Sequence, residues 1–417
     1  MIGQLPDSDA ALTGLGFATQ LLFLVMVAMI GLSVGTVAFA SRAHGAGQSD
    51  HVNHLLYQST VFTVMLGLAV AVVGNLMATP LLLLLGANPV SIDYGTQYLR
   101  PMMLGAAFTY VNILFGALLR GVGNTRLPFL VALASNALNV VLNYGLILGN
   151  YGLPALGVRG AAIGTILSHA FAIATLILLL RRGAQPGVHP TFEPRPLDWP
   201  LARDLFRVGA PAALDMVVLN AGFLTIVGLL GRIDQAAVAA HGIGLRVQAL
   251  AFVPGMSVSQ ATSAMVGNAL GAEDPKEARA VFRSSAVLCT GIMSALAFLI
   301  IGFSGPIVSL FSVAPAGAVG QYAQTWMTLL GVCMPIVGVW VAFVGTFQGA
   351  GDTRTTLRIN TLATLAAQIP LSFLLGLGLG WGAWGVWVAF PLSFVIKIVL
   401  GAFAYRRGKW AVTGATV

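Results

Sequence analysis

Gly121-Val122-Gly123-Asn124-Thr125-Arg126 returns later in the chain as Gly349-Ala350-Gly351-Asp352-Thr353-Arg354. The same offset aligns Tyr94 with Tyr322, Val111 with Val339 and Phe115 with Phe343. Small slips extend the match to Gly45-Ala46 against Gly271-Ala272, to Gly157 and Gly160 against Gly382 and Gly385, and to Gly3 and Gly14 against Gly231 and Gly242. Self-similarity on this scale means two copies of one supersecondary unit. Glycine at a helix C-terminus accepts positive φ, and Asn124 or Asp352 with the following Thr can hydrogen-bond the adjoining backbone, so the paired loops read as tight helix-to-helix turns. No Lys-Ser/Thr pair follows, so they do not read as phosphate cradles.

The segments around these turns are strongly apolar. Of 417 residues, 57% are hydrophobic and 8% are charged, where a soluble domain carries about a quarter charged; mean hydropathy is +0.89. A soluble fold is excluded. Apolar runs between Gly, Pro and charged punctuation predict spans at 12–40, 55–79, 96–119, 127–149, 158–181, 205–230, 236–266, 280–304, 321–348, 357–379 and 383–405. The pieces 81–85 and 307–311, after Pro80 and Pro306, are too short to cross and are expected at the interface. Six spans separate the two repeated turns, so both copies share one orientation and are related by an axis along the membrane normal. The expected fold is an all-α polytopic membrane protein of two pseudo-symmetric six-helix bundles. The helix at 205–230 has no counterpart ahead of the first copy, so that bundle is expected to lack its first helix. The expected domains are 1–182 with five helices, a cytoplasmic linker at 183–204, and 205–417 with six.

Net charge of +8 would suggest nucleic acid in a soluble chain; here it is an orientation signal and no nucleic-acid partner is expected. One set of alternate connections holds Arg42, Arg120, Arg126, Arg181, Arg182, Arg195, Arg203, Arg207, Lys276, Arg279, Arg283, Arg354, Arg358, Arg406, Arg407 and Lys409. The opposite set holds Arg159 and Arg232, with Arg100 at a helix end. The first set faces the cytoplasm, which puts Met1 outside and Val417 inside. Cys289 and Cys333 lie in apolar spans and read as buried thiols. The polar run at 4–9 does not read as the opening of a signal peptide.

Taken in order, Gly3-Gln4-Leu5, Gly45-Ala46-Gly47, Gly267-Asn268-Ala269-Leu270-Gly271-Ala272, Pro211, Ala239-Ala240-His241-Gly242 and the two Gly-x-Gly-x-Thr-Arg turns resemble the multidrug and toxic compound extrusion transporters. That family belongs to a larger group that includes lipid-linked oligosaccharide flippases. The resemblance covers essentially the whole chain. It implies two six-helix bundles that alternate between outward-facing and inward-facing forms and export mainly cationic amphipathic compounds in exchange for H⁺ or Na⁺. The sequence also departs from the family pattern. One branch carries a coupling carboxylate late in a first helix with no counterpart here, and an Asn and Asp four residues apart where this chain has Asn139 and Asn143. Another branch has an acid where this chain has Val337, and a second near Asn220.

Among the 13 acidic residues, Asp215 alone lies well inside an apolar span. A carboxylate in hydrocarbon is expensive and marks an ion path or a pair. It is the candidate ion-coupling residue, with a hydrated position near the cytoplasmic end as the bland alternative. Lys397 lies at a similar depth and either pairs with Asp215 or snorkels. Asn136, Asn139 and Asn143 share one helix face and either line a cavity or bond between helices. Asn220, Met256 and Trp340 complete the candidate cavity residues, the last two offering deformable or cation-attracting surface where they are not simply packing. No catalytic residue, metal site or cofactor beyond the coupling ion is expected. Paired Asp motifs and His-Glu-x-x-His are missing, which speaks against a membrane enzyme.

The expected function is secondary antiport of small organic molecules in the bacterial inner membrane by a monomer surrounded by lipid, with a lipid flippase as the alternative. A flippase cavity would need several cations for pyrophosphate.

Overall fold

A hydrocarbon surround leaves no water for backbone amides, so every span must satisfy them within itself. The computed structural model, which describes residues 8–191 and 193–411 with side chains from residue 11 onward, is all-helical among those residues. The Gly3-Gln4-Leu5 motif and both chain ends lie outside the described residues. Among the described residues, ten helices are long and apolar enough to cross a membrane, or up to eleven if one bent pair counts as a span. Their outward faces carry rows of large apolar side chains, as at Leu68, Val72 and Leu76, spaced for a single helix face turned to lipid.

Contacts divide the chain into two compact units, residues 1–210 and 211–417. In the first, α1 (Ser8–Gly45), α2 (Ser49–Leu84), α3 (Pro89–Leu104), α4 (Ala106–Gly121), α5 (Arg126–Leu148) and α6 (Gly157–Arg181) follow in order. Here α1 and α2 pack on each other and on α3 and α4, while α6 packs on α5, α3 and α4. Helix α7 (Trp199–Gly231) crosses the division between units. The second unit continues with α8 (Gln235–Gly271), α9 (Pro275–Gly302), the short α10 (Ser304–Leu310), α11 (Ala318–Gly349), α12 (Thr353–Gly378) and α13 (Gly382–Arg406). There α8 and α9 pack on each other and on α11, and α13 packs on α12 and α11. Within each unit the order of packing is therefore the same.

The repeated turns are built alike to the level of single hydrogen bonds. Gly123 and Gly351 have φ of 82° and 75°. Asn124 N donates to Leu119 O and Asp352 N to Phe347 O, each at 2.8 Å. The Asn124 side chain then accepts from Leu127 N at 3.0 Å, and that of Asp352 from Thr355 N at 3.3 Å. Each loop ends one helix with a left-handed cap and starts the next with a side-chain cap. Close helix contact rests on small residues: a Cβ at Gly345 or Gly349 of α11 would strike the carbonyl oxygens of Ser259 and Ser263 of α8, a small-x-x-x-small packing on both helices.

Three expectations are refined. The span at 96–119 is broken into two helices, α3 and α4, bent by 56°. Pro101 removes a backbone donor there, and a Cβ at Gly105 would strike Ile166 of α6, so the break is where the chain turns against its neighbour. The apolar piece 81–85 is no separate segment, because α2 runs through Pro80 to Leu84. Helix α7 begins at Trp199, within the stretch expected to be linker. What precedes it is fastened to α2: Asn53 donates to Gly187 O at 3.1 Å, Gln58 to Pro196 O at 2.8 Å, and Arg195 N to the Tyr57 hydroxyl at 3.0 Å. Asp198 caps α7 by accepting from Leu201 N at 3.0 Å and meets His54 Nε2 at 3.0 Å. The Leu201 amide, and then His54, hold its carboxyl below the ordinary carboxylate value, so this contribution is present above that value and is lost as pH falls through the lowered one.

The turn after α8 repeats the turn after α1, with Glu273 at φ 57° where Gly47 has 71°. A side chain in this region costs about 1–2 kcal/mol. Glu273→Gly is therefore expected to raise the thermal midpoint in detergent. Gly123→Ala should lower it by a comparable amount, since nothing lies within 4 Å of the added methyl and only the backbone conformation is penalised.

Candidate functional site

The chemistry of the second unit gathers where α7, α12, α11 and α13 meet. Asp215, on α7, is 3% exposed. Asn360, on α12 and also buried, donates through one nitrogen to both carboxylate oxygens, at 2.8 and 2.9 Å. Lys397, on α13, is 2% exposed and is enclosed by protein rather than snorkelling. Its Nζ sits 4.4 Å from the centroid of the Phe394 ring and interacts electrostatically with Asp215 and Cys333. Asp215 and Lys397 form no contact ion pair. The carboxylate is held by an amide, with a cation near but not bonded.

A buried anion of this kind is stable only if its partners are fixed. Pro211 lies one turn before Asp215 on α7. On the opposite side, Pro370 denies α12 one backbone donor, and the turns at Leu362–Gln368 and Leu374–Gly378 widen to the π form. Such widening recurs at functional sites because it re-aims side chains within a continuous helix.

The remaining candidates are distributed. Asn220 is half-buried further along α7, Met256 is exposed on α8, and Trp340 is buried in the core of the second unit. In the first unit Asn143 donates to Asn139 at 3.0 Å and Asn139 to Thr165 of α6 at 3.4 Å, while Asn136 is exposed. The pair thus serves the α5–α6 contact, with the Asn143 oxygen buried and without a protein partner. His169 bonds Asn112 at 3.0 Å.

Asn360 was not singled out from the sequence. A signal for it exists: Asn360, Thr364, Gln368 and Ser372 recur every fourth residue through an apolar span, and all are buried. Polar residues at that spacing form one stripe on a helix.

Repeated membrane-spanning helices that enclose a carboxylate in the second unit are an arrangement found in membrane transporters. The MatE family model matches residues 1–145 and 211–374, and the chain belongs to this family, the multidrug and toxic compound extrusion transporters. It is similar to the probable multidrug resistance protein NorM of Thermotoga maritima, 25% identical over 96% of this chain and 85% of that protein. The probable NorM of Burkholderia pseudomallei is 29% identical over 99% of this chain and 88% of its own length. Among solved structures, a MATE crystal structure in the bent conformation superposes with a TM-score of 0.89 at 21% identity, covering 99% of this chain and 90% of that one. An outward-facing multidrug resistance MATE transporter of the MOP superfamily gives 0.88 at 21%, with the same coverage.

Removing the Asn360 amide strands a buried carboxylate. Asn360→Leu is expected to cost about 1–3 kcal/mol, read as a lower thermal midpoint. In an Asp215→Leu background the same change should cost less, because no unmatched group remains; equal costs in both backgrounds would show that the bond contributes nothing.

Proposed function

We propose that this protein is a secondary antiporter of the bacterial inner membrane, with its C-terminus in the cytoplasm, that exports organic and mainly cationic amphipathic molecules in exchange for protons. Asp215 is the coupling residue in this reading. The multidrug resistance proteins to which the chain is similar support the cargo class, and the excess of Arg and Lys on one set of connections supports the orientation. In this reading the protein works as a monomer surrounded by lipid.

The arrangement of Asp215 with Asn360 carries the reading. A hard cation such as Na⁺ seeks a cage of oxygen ligands. Both Asp215 oxygens instead face N–H donors, with the Lys397 amine beside them, and each of these disfavours an added metal cation. A proton needs only a lone pair. Protonation makes the carboxyl a weaker acceptor for the Asn360 amide, which loosens the α7–α12 contact. Proton binding then favours one conformation over another, which is the condition for an ion to drive a switch.

In proteoliposomes, export of fluorescent organic cations should run under an imposed pH gradient and not under a sodium gradient. Asp215→Asn keeps the shape but cannot titrate, and should lower pH-driven export about tenfold or more, the equivalent of one strong interaction, with expression and folding retained. Wild-type coupling in Asp215→Asn would remove Asp215 from the mechanism, and sodium-driven export would overturn the choice of ion.

A further inference from the structure

A second polar cluster lies in the same unit, at the end where α7 finishes and α8 begins. His241, on α8, is 2% exposed. Its ring is 5.0 Å from that of Trp326 and 6.4 Å from that of Trp387, centroid to centroid. Neither nitrogen of His241 has a protein partner, and neither do the indole nitrogens of Trp326 and Trp387. Three aromatic residues thus bring buried, unmatched polar atoms to one place, a costly arrangement unless something else satisfies them. These residues line a cavity closed by Phe223 and Ile226 of α7 and by Gln368 of α12, with ≈ 10 Å³ accessible to the centre of a water molecule. That is room for about one water.

Gln368 links this cavity to the Asp215 site. Along α12 the buried residues Asn360, Thr364 and Gln368 meet α7 in turn: Asn360 at Asp215, Thr364 at Gly222, where a Cβ would strike the Thr364 methyl, and Gln368 at the cavity. The Thr364 hydroxyl and the Asn360 carbonyl oxygen are likewise buried without a protein partner. Ser393 of α13 donates to the Gln368 oxygen at 3.4 Å. Asn360 and Gln368 lie roughly 12 Å apart along the helix axis, with the Thr364 hydroxyl midway between them.

We propose that the second unit contains a hydrated proton path along the α7–α12 seam, with its outer end at His241 and its terminus on Asp215. This rests on Asp215 being the coupling carboxylate. A proton reaching the neutral imidazole binds one ring nitrogen while the other releases a proton to the cavity water. That water passes a proton to Thr364, whose hydroxyl accepts one and gives up its own. A second water delivers it to the Asp215 carboxylate, which becomes the neutral acid. The Gln368 and Asn360 amides orient the waters and carry no proton. The other ionisable groups nearby are Tyr322, whose ring meets that of Trp387 at 6.0 Å, with Asp234 beside it, and, at the inner end, Lys397 and Cys333. None stands between His241 and Asp215.

The test uses the full chain in lipid vesicles and needs no cargo. After a pH step, infrared difference spectroscopy follows the carbonyl band of the protonated Asp215 carboxyl, identified by its loss in Asp215→Asn. Thr364→Val keeps the methyl packed on Gly222 and removes only the hydroxyl, so the band should rise about tenfold more slowly, the loss of roughly one hydrogen bond in the rate-limiting step. Thr364→Ser should restore the rate. His241→Gln keeps hydrogen bonding without relay and should slow the band likewise, which preserves the test if Thr364→Val is not recovered folded. Wild-type rates in the recovered variants would overturn the path while leaving Asp215 in place. If the wild type shows no band that Asp215→Asn removes, the coupling assignment itself fails and the path with it.

Discussion

In a hydrocarbon surround an unpaired polar group has no water to fall back on, and the architecture follows from that constraint. Backbone amides are satisfied within helices, so no strand or long irregular segment lies at depth among the described residues. Helix ends are closed over short turns, which is why the Gly123 and Gly351 loops use the same left-handed cap and the same side-chain cap. Helices gain little from apolar burial against one another when lipid is equally apolar, so they meet through small residues such as Gly345 and Gly349 against Ser259 and Ser263.

The same constraint makes the interior of the second unit informative. Most buried side chains there are apolar, and against that background two polar groupings stand out. At one, the Asp215 carboxylate takes both oxygens' bonds from Asn360 while Lys397 stays near without bonding. At the other, His241, Trp326 and Trp387 hold polar atoms that no protein group satisfies. Helix α12 joins them, and it is also the helix that departs most from regular geometry, with widened turns around Pro370. A helix able to shift its turns without unfolding suits a segment that must readjust when a proton arrives.

The two copies of the repeat agree where the constraint is general and differ where function is local. Their turns and order of packing are alike. Their third spans are not: Gly105 and Pro101 break the first into α3 and α4, while at the same offset α11 carries Cys333 and Leu329 and runs unbroken past its own Pro335. The polar face of α5 is spent on an Asn143–Asn139–Thr165 ladder to α6, whereas that of α12 holds Asp215 of α7 at Asn360 and meets α13 at Gln368 and Ser372.

The membrane class, the helical fold, the repeat and the family were all legible in the sequence, because hydropathy, glycine caps and motif order are local properties written in consecutive residues. The exceptional status of Asp215 was legible too, since a lone carboxylate in an apolar span needs no neighbour to be unusual. Which groups answer it was not. Asn360 lies far from Asp215 along the chain, and its polar stripe could equally have faced lipid, a cavity or a packed neighbour until the rotation of α12 was known. Lys397 could have reached the interface or turned inward, and a flexible side chain takes whichever environment the surrounding helices leave it. The same holds for Trp340, as suited by composition to a cavity wall as to the core where it lies. Sequence determines what a helix must bury or satisfy; which helix supplies the partner depends on how the helices rotate and pack, and that is a property of the tertiary structure alone.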